Sequence, residues 1–129
     1  MMHHVPVAIT RCETYEMEEV FRAVELACDA ASIPDVSGKR VLLKPNILSD
    51  AAPEKAITTR GEVLRAMIRL MYAKGAKQVL VGDSPGIHGP SFVPKGSGIA
   101  QACKEEGARW CEFARDPVMH RIPGTYGLK

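Results

Sequence analysis

The stretch RVLLK, Arg40 to Lys44, decides the fold that this sequence predicts. Its apolar residues are continuous rather than alternating, which is typical of a strand covered on both faces in a parallel sheet. Pro45 follows directly and ends the strand, because its nitrogen cannot donate to a sheet ladder. We therefore predict a buried parallel strand at residues 41–43.

Strand and helix patterns alternate around this strand. Apolar periodicity predicts three further strands, at residues 5–9, 79–81 and 110–113. It also predicts three helices, at about residues 14–31, 59–75 and 99–106. Thr14 is the expected N-cap of the first helix, and Thr59-x-x-Glu62 is the expected capping box of the second. A short extended piece is expected at 118–122.

This alternation predicts one α/β domain over residues 1–129. Strands that alternate with helices favour right-handed crossovers in a parallel sheet. We expect a Rossmann-like, three-layer α/β/α fold with a mostly parallel sheet of at least four strands.

Composition and charge argue against two classes of protein. The net charge of +2 is small and the Lys and Arg residues are scattered, so nucleic-acid binding is not expected. No apolar run approaches the roughly 18 residues of a membrane span. The N-terminus has neither the basic start nor the long apolar segment of a signal peptide, so we expect a cytoplasmic protein without a membrane contact.

The cysteines are Cys12, Cys28, Cys103 and Cys111. None forms a C-x-x-C pair, and none has a histidine at ligand spacing. Cys28 and Cys103 fall on predicted apolar helix faces, which indicates buried, reduced thiols. The cysteines therefore predict no zinc or iron–sulfur metal site of their own and no iron–sulfur ligand motif within this chain, and the sequence leaves its cofactor unknown.

Polar residues follow the second and third predicted strands. Ligands of parallel sheets bind beyond the carboxyl ends of the strands, so Lys44, Asn46, Asp83 and Ser84 are expected to face one crevice. Lys44 would neutralise a carboxylate or phosphate, and Asp83 would accept a proton or bind a metal ion. These two are the candidate catalytic residues, and Asn46 and Ser84 are candidate ligand-binding residues.

The helix after Thr59 and Arg60 would point its free N–H groups at the same crevice, which favours a small anionic ligand. Thr59 and Arg60 are therefore also candidate ligand-binding residues. Glycine richness at residues 94–98 could let backbone N–H groups approach a phosphate.

Each of these residues also has a purely structural interpretation. Lys44 could extend from the end of a buried strand simply to form an ion pair with a carboxylate of the protein. Asp83 and Ser84 could serve simply to hydrogen-bond the backbone of the turn before Pro85. Thr59 could serve simply to cap its helix. Both interpretations stay open at this point.

The stretch Gly82-Asp83-Ser84-Pro85-Gly86 matches G-x-S-x-G, the nucleophile elbow of serine hydrolases. An elbow serine needs the backbone N–H of the next residue in its oxyanion hole, and Pro85 has none. Losing such a donor typically costs about a hundredfold to a thousandfold in rate. The hydrolase hypothesis is therefore the weaker one.

Three stretches, KRVLLKPNILSD, AITTRGEVLRAMIRLMYAKGAKQVLVGDSPG and SGIAQACKEEGA, resemble the family catalogued as domain of unknown function 362. The resemblance runs from about Val5 to Phe113 and corresponds to the N-terminal half of the family. Members are usually more than twice this length, and many carry a ferredoxin-like cysteine cluster in a later segment, which implies redox-linked iron–sulfur chemistry. This chain departs from the family at Gly61, where a proline is common.

The family's later lysine- and histidine-bearing motif and its cysteine cluster are absent before Lys129, so the resemblance implies the N-terminal part of a longer architecture. Two functions follow as hypotheses. The first is an enzyme-like anion or metal site at the carboxyl edge of the sheet. The second is a non-catalytic interaction module, a homo-oligomer or a subunit, that docks a partner carrying the rest of the site.

Overall fold

The structure is a computed structural model that describes residues 5–84, 92–113 and 118. Helices and strands alternate within these ranges, as the sequence predicts. The elements are α1 (Met17–Ala30), β1 (Arg40–Leu43), α2 (Gly61–Ala73), β2 (Gln78–Asp83), α3 (Ile99–Glu105) and β3 (Arg109–Glu112), with a short 3-10 turn at Pro53–Lys55.

The three described strands form an all-parallel sheet in the order β1-β2-β3. Val41 lies opposite Val79, and Val81 lies opposite Trp110. The predicted α/β class and the parallel sheet are therefore confirmed.

The hydrophobic core lies between the sheet and the helices. Val79 and Val81 are fully buried, and Val41 and Leu43 pack against them from β1. Leu42, which points to the opposite face, is 53% exposed. The prediction that both faces of β1 are covered is therefore wrong for the described residues, because β1 is an edge strand with its helices on one side.

The three helices form a single layer within the described part of the chain. α2 joins β1 to β2, and α3 joins β2 to β3 in the same direction across the sheet. Right-handed crossovers then place both helices on one face, where they contact each other, and α1 packs against α2. The described ranges thus contain one of the two helical layers that the three-layer prediction requires.

The predicted strand at residues 5–9 is not formed. Residues 5–13 carry no regular secondary structure, and Val5, Val7 and Ile9 are 81%, 86% and 95% exposed. An alternating pattern makes a strand only where a neighbouring strand supplies hydrogen bonds. The described sheet therefore has three strands rather than four. Of the extended piece expected at 118–122, only Val118 lies within the described residues.

The start of α1 also differs from the prediction. The N-cap is Glu16, and Thr14 lies two residues before it. The Thr14 hydroxyl donates to the Glu19 carboxylate at 2.6 Å and accepts the Glu16 N–H at 3.2 Å. Thr14 thus orders the approach to the helix instead of capping it.

Candidate anion site at the carboxyl edge of the sheet

Lys44 and Asp83 meet at the carboxyl edge of the sheet. Because β1 and β2 are parallel and Leu43 pairs with Val81, the residues that end the two strands lie side by side. Lys44 Nζ is 2.6 Å from Asp83 Oδ1. The two side chains differ sharply in exposure, at 60% for Lys44 and 6% for Asp83.

Asp83 is held from several directions. Its second oxygen, Oδ2, accepts the backbone N–H of buried Ile47 at 2.8 Å. Burial alone would raise the pKa of Asp83, but Lys44 and the N–H groups of Ile47 and Ser84 together hold that pKa below its ordinary value. A carboxylate with both oxygens occupied and a lowered pKa is a weak proton acceptor.

Asn46 and Thr59 tie the two ends of the loop after β1 to each other. The Thr59 N–H donates to the Asn46 carbonyl at 2.9 Å, and the Asn46 N–H donates to the Thr59 hydroxyl at 3.1 Å. The hydroxyl is therefore not the cap of α2, whose N-cap is Arg60 without a side-chain cap bond. The predicted capping box is wrong because the Asn46 backbone takes the Thr59 hydroxyl instead.

Arg60 is engaged by two neighbouring side chains. Its guanidinium forms two hydrogen bonds with the Glu62 carboxylate, at 3.1 and 3.2 Å. It also lies over the Tyr15 ring, 3.9 Å from the ring centre, as a cation–π contact. An anion would have to compete with Glu62 for this guanidinium.

Ser84 is exposed at the end of β2. Pro85 and Gly86, which would complete an elbow, lie outside the described ranges. The first described helix after β2 begins at Ile99, fifteen residues beyond Ser84. An elbow serine leads directly into a helix, so the described geometry adds nothing to the hydrolase hypothesis.

Asp50 is a polar residue of this edge that sequence reasoning missed. Its Oδ1 accepts the Ser97 N–H at 2.9 Å, across a separation of 47 residues. Burial alone would raise the pKa of Asp50, but the backbone N–H groups of Gly96, Ser97 and Lys95 hold that pKa below its ordinary value. The glycine-rich loop proposed for a phosphate thus surrounds a carboxylate of the protein itself.

The cysteines do not converge on a cluster site. Cys103 is buried in the core, where burial raises the pKa of its thiol to about 11. Cys28 lies beside the Met67 sulfur, and Cys12 is exposed. Across the ranges that the structure describes, no group of three or more His, Cys, Asp or Glu side chains could hold a metal ion. These residues do not fit an iron–sulfur cluster, and we assign no chemistry to one.

A cavity of about 400 Å³ lies beside the segment that precedes α1. Its walls come from the segment before α1 and from the apolar faces of α1 and α2, including Thr10, Tyr15, Val24 and Val63. None of the predicted site residues lines it. The Lys44–Asp83 pair therefore belongs to an open edge rather than to this cavity.

The parallel sheet and the Lys44–Asp83 ion pair at its carboxyl edge define a small α/β protein with opposite charges at neighbouring strand ends. The chain belongs to the family described as domain of unknown function (DUF362), whose model matches residues 41–129. The match begins later than the predicted resemblance, which started at Val5, and extends past Phe113. The match therefore establishes the family of the chain, but it does not show a link to iron–sulfur chemistry.

One relative is Thylakoid-associated protein sll1697 of Synechocystis sp., which is 39% identical over 61 residues. The alignment covers 47% of this chain and 19% of the relative, so the chain spans about a fifth of that protein. No solved structure gives a significant match to the chain. None of the helices in the described ranges has the length and apolar character needed to cross a membrane.

Proposed function

We propose that the carboxyl edge of the sheet binds a small anion, a phosphate or a carboxylate, through the ammonium of Lys44. The observation that carries this proposal is the unequal exposure of the Lys44–Asp83 pair, 60% against 6%. The buried carboxylate accepts one N–H of the ammonium, and the ammonium of this largely exposed side chain has two further N–H donors for a ligand.

In this proposal the roles of the two residues differ. Lys44 contacts the ligand, whereas Asp83 holds Lys44 and the Ile47 backbone in place. Asp83 is not assigned as a base, because its pKa is lowered and its oxygens already accept hydrogen bonds. Nor is it assigned as a metal ligand, since no cluster of metal-binding side chains surrounds it within the described ranges.

The remaining candidates would take secondary roles. Asn46 and Ser84 are exposed beside the pair and can offer side-chain donors to the ligand. The Thr59 hydroxyl accepts the Asn46 N–H and keeps its own proton to donate. Arg60 would contribute only after Glu62 releases it, so we place it at the margin of the site.

A ligand titration tests the proposal. Because binding to the native state must stabilise it, phosphate, sulfate or a small carboxylate should raise the melting temperature of the protein. Lys44→Met should weaken the apparent affinity by about tenfold or more, the loss expected for one charge-assisted hydrogen bond. Lys104→Met, which removes an exposed lysine of α3, is the matched control and should leave the affinity unchanged.

Two results would count against the anion site. One is a protein whose melting temperature does not respond to any of these anions. The other is an equal response in wild type and Lys44→Met, which would show that the anions bind elsewhere.

A second function, a non-catalytic docking module, is favoured by the open face of the sheet. Leu42 is 53% exposed on the face opposite the helices, and β1 pairs with β2 alone among the described strands. A second copy or a partner subunit could cover that face. Sedimentation equilibrium checks it: wild type should associate with rising concentration, and Leu42→Ser should not. A wild type that stays monomeric throughout would remove the self-associating form of this candidate.

A further inference from the structure

We propose that Asp50 is a positioning residue of the anion site, because its carboxylate fastens the loop after β1 to the glycine-rich loop before α3. The inference rests on the proposed function of Lys44. It goes beyond it by assigning a role to a residue that does not contact the ligand.

The first step is the contact itself. The Ser97 N–H donates to Asp50 Oδ1 at 2.9 Å, and Ser97 is only 1% exposed, so the bond is shielded from water on the side of the glycine-rich loop. The neighbouring N–H groups of Lys95 and Gly96 also stabilise the charged carboxylate. Several backbone donors thus converge on one internal anion.

The second step is that the contact depends on a glycine. A Cβ atom at Gly96 would lie 2.9 Å from the Asp50 carbonyl oxygen and 3.3 Å from Asp50 Oδ2. The first distance is shorter than real Cβ contacts, and the oxygen belongs to the backbone, so it cannot rotate away. The absence of a side chain at residue 96 therefore allows the two loops to approach.

The third step connects Asp50 to Lys44. The loop between them is cross-tied, because Asp83 holds Ile47 and the Thr58 hydroxyl donates to the Ser49 carbonyl at 2.7 Å. Asp50 follows Ser49 directly, so its bond to Ser97 anchors the far part of the loop that begins at Lys44. Releasing Asp50 would loosen the loop and free the backbone donors of residues 95–97.

Sulfate binding, followed by amide chemical shifts, tests this role in the full chain. In wild type, sulfate should shift the amides next to Lys44, such as Asn46 and Ile47, and leave those of Gly96 and Ser97 unmoved. In Asp50→Ala the affinity at Lys44 should fall by about tenfold, as one tie is lost. The freed amides of Gly96 and Ser97 should then respond to sulfate, which a general loss of folding would not produce.

Two further variants keep the test decisive. Asp50→Asn retains one acceptor for the Ser97 N–H, so it should recover part of the affinity even if Asp50→Ala folds poorly. Gly96→Ala should weaken sulfate binding without removing a charge. If Asp50→Ala bound sulfate with wild-type affinity and its Gly96 and Ser97 amide shifts did not respond, this inference would be overturned and the proposed function would stand. A wild type that binds no sulfate would overturn the proposed function and this inference with it.

Discussion

Two aspartate–lysine pairs occupy different regions of the molecule and have nearly the same nitrogen–oxygen distance. Lys44 and Asp83 lie 2.6 Å apart at the carboxyl edge of the sheet, and Lys74 and Asp29 lie 2.7 Å apart where α1 and α2 end. The Asp83 side chain is 6% exposed, whereas that of Asp29 is 56% exposed. Distance alone therefore does not tell the two pairs apart, but burial does.

The difference lies in what else each carboxylate does. Asp83 also accepts the N–H of Ile47, a residue that is 1% exposed, so it satisfies a backbone group that water cannot reach. Exposed pairs between flexible side chains contribute little, because water screens the charges and ordering them costs entropy. We infer that Asp83 stabilises the fold and that the Lys74–Asp29 pair hardly does.

The largest expected effect is the loss of stability in Asp83→Ala. Removing the carboxylate leaves the buried Ile47 N–H without its acceptor, which should lower the free energy of unfolding by about 2–3 kcal/mol. The loss of the ion pair with Lys44 adds little to this destabilisation, since the Lys44 side chain is 60% exposed and water can solvate its ammonium. Asp83→Asn should lose less, because its amide oxygen can still accept the Ile47 N–H. Urea denaturation followed by circular dichroism measures the change.

The matched control for this experiment is Asp29→Ala with Asp29→Asn. Both variants break an aspartate–lysine pair of nearly the same length, and neither should lower the free energy of unfolding by more than about 0.5 kcal/mol. If Asp29→Ala proved as destabilising as Asp83→Ala, burial would not be the factor that separates the two pairs.

The second-largest expected effect is on the stability of the protein in acid. The pKa of Asp83 and that of Asp50 are both lowered on folding from the ordinary value of 3.8, so the folded state favours the charged forms. This stabilisation is complete above the unfolded-state pKa, about 3.9. It is lost as the pH falls through the lower folded-state values. Unfolding free energy should therefore decline in acid, and the decline should be shallower in Asp83→Asn. Identical acid profiles for the two proteins would contradict the prediction.

The sequence was sufficient to predict the strand ends of this edge. The unbroken apolar runs at Val41–Leu43 and Val79–Val81 predict parallel strands, and parallel strands bring the residues after them to one edge. The proximity of Lys44 and Asp83 follows from that rule alone. The exposure of Leu42 could not be predicted in this way, because a short apolar run does not show how many helical layers cover it.

The tie between Asp50 and Ser97 could not be predicted either. A backbone N–H has no residue-specific signature, so nothing in the sequence pairs an aspartate with an amide 47 residues away. The capping box at Thr59 failed for a related reason, since the Asn46 N–H competes for the same hydroxyl. Arg60 was expected to be available to an anion, but Glu62, two residues later, pairs with it, and the tertiary structure places the Tyr15 ring against it.

The smallest expected effect is a difference in how the two aspartate–lysine pairs respond to salt. Raising the ionic strength from about 0.1 M to about 1 M shortens the Debye length from roughly 10 Å to roughly 3 Å, which screens exposed charges far more than buried ones. The small difference between wild type and Asp29→Ala should therefore disappear at high salt. The difference between wild type and Asp83→Ala should persist, because much of it comes from the shielded bond between Asp83 and the Ile47 N–H. Urea midpoints of the three proteins at both ionic strengths measure this, with sodium chloride as the salt. If the Asp83→Ala difference disappeared as well, the Asp83 carboxylate would be acting as an ordinary surface charge.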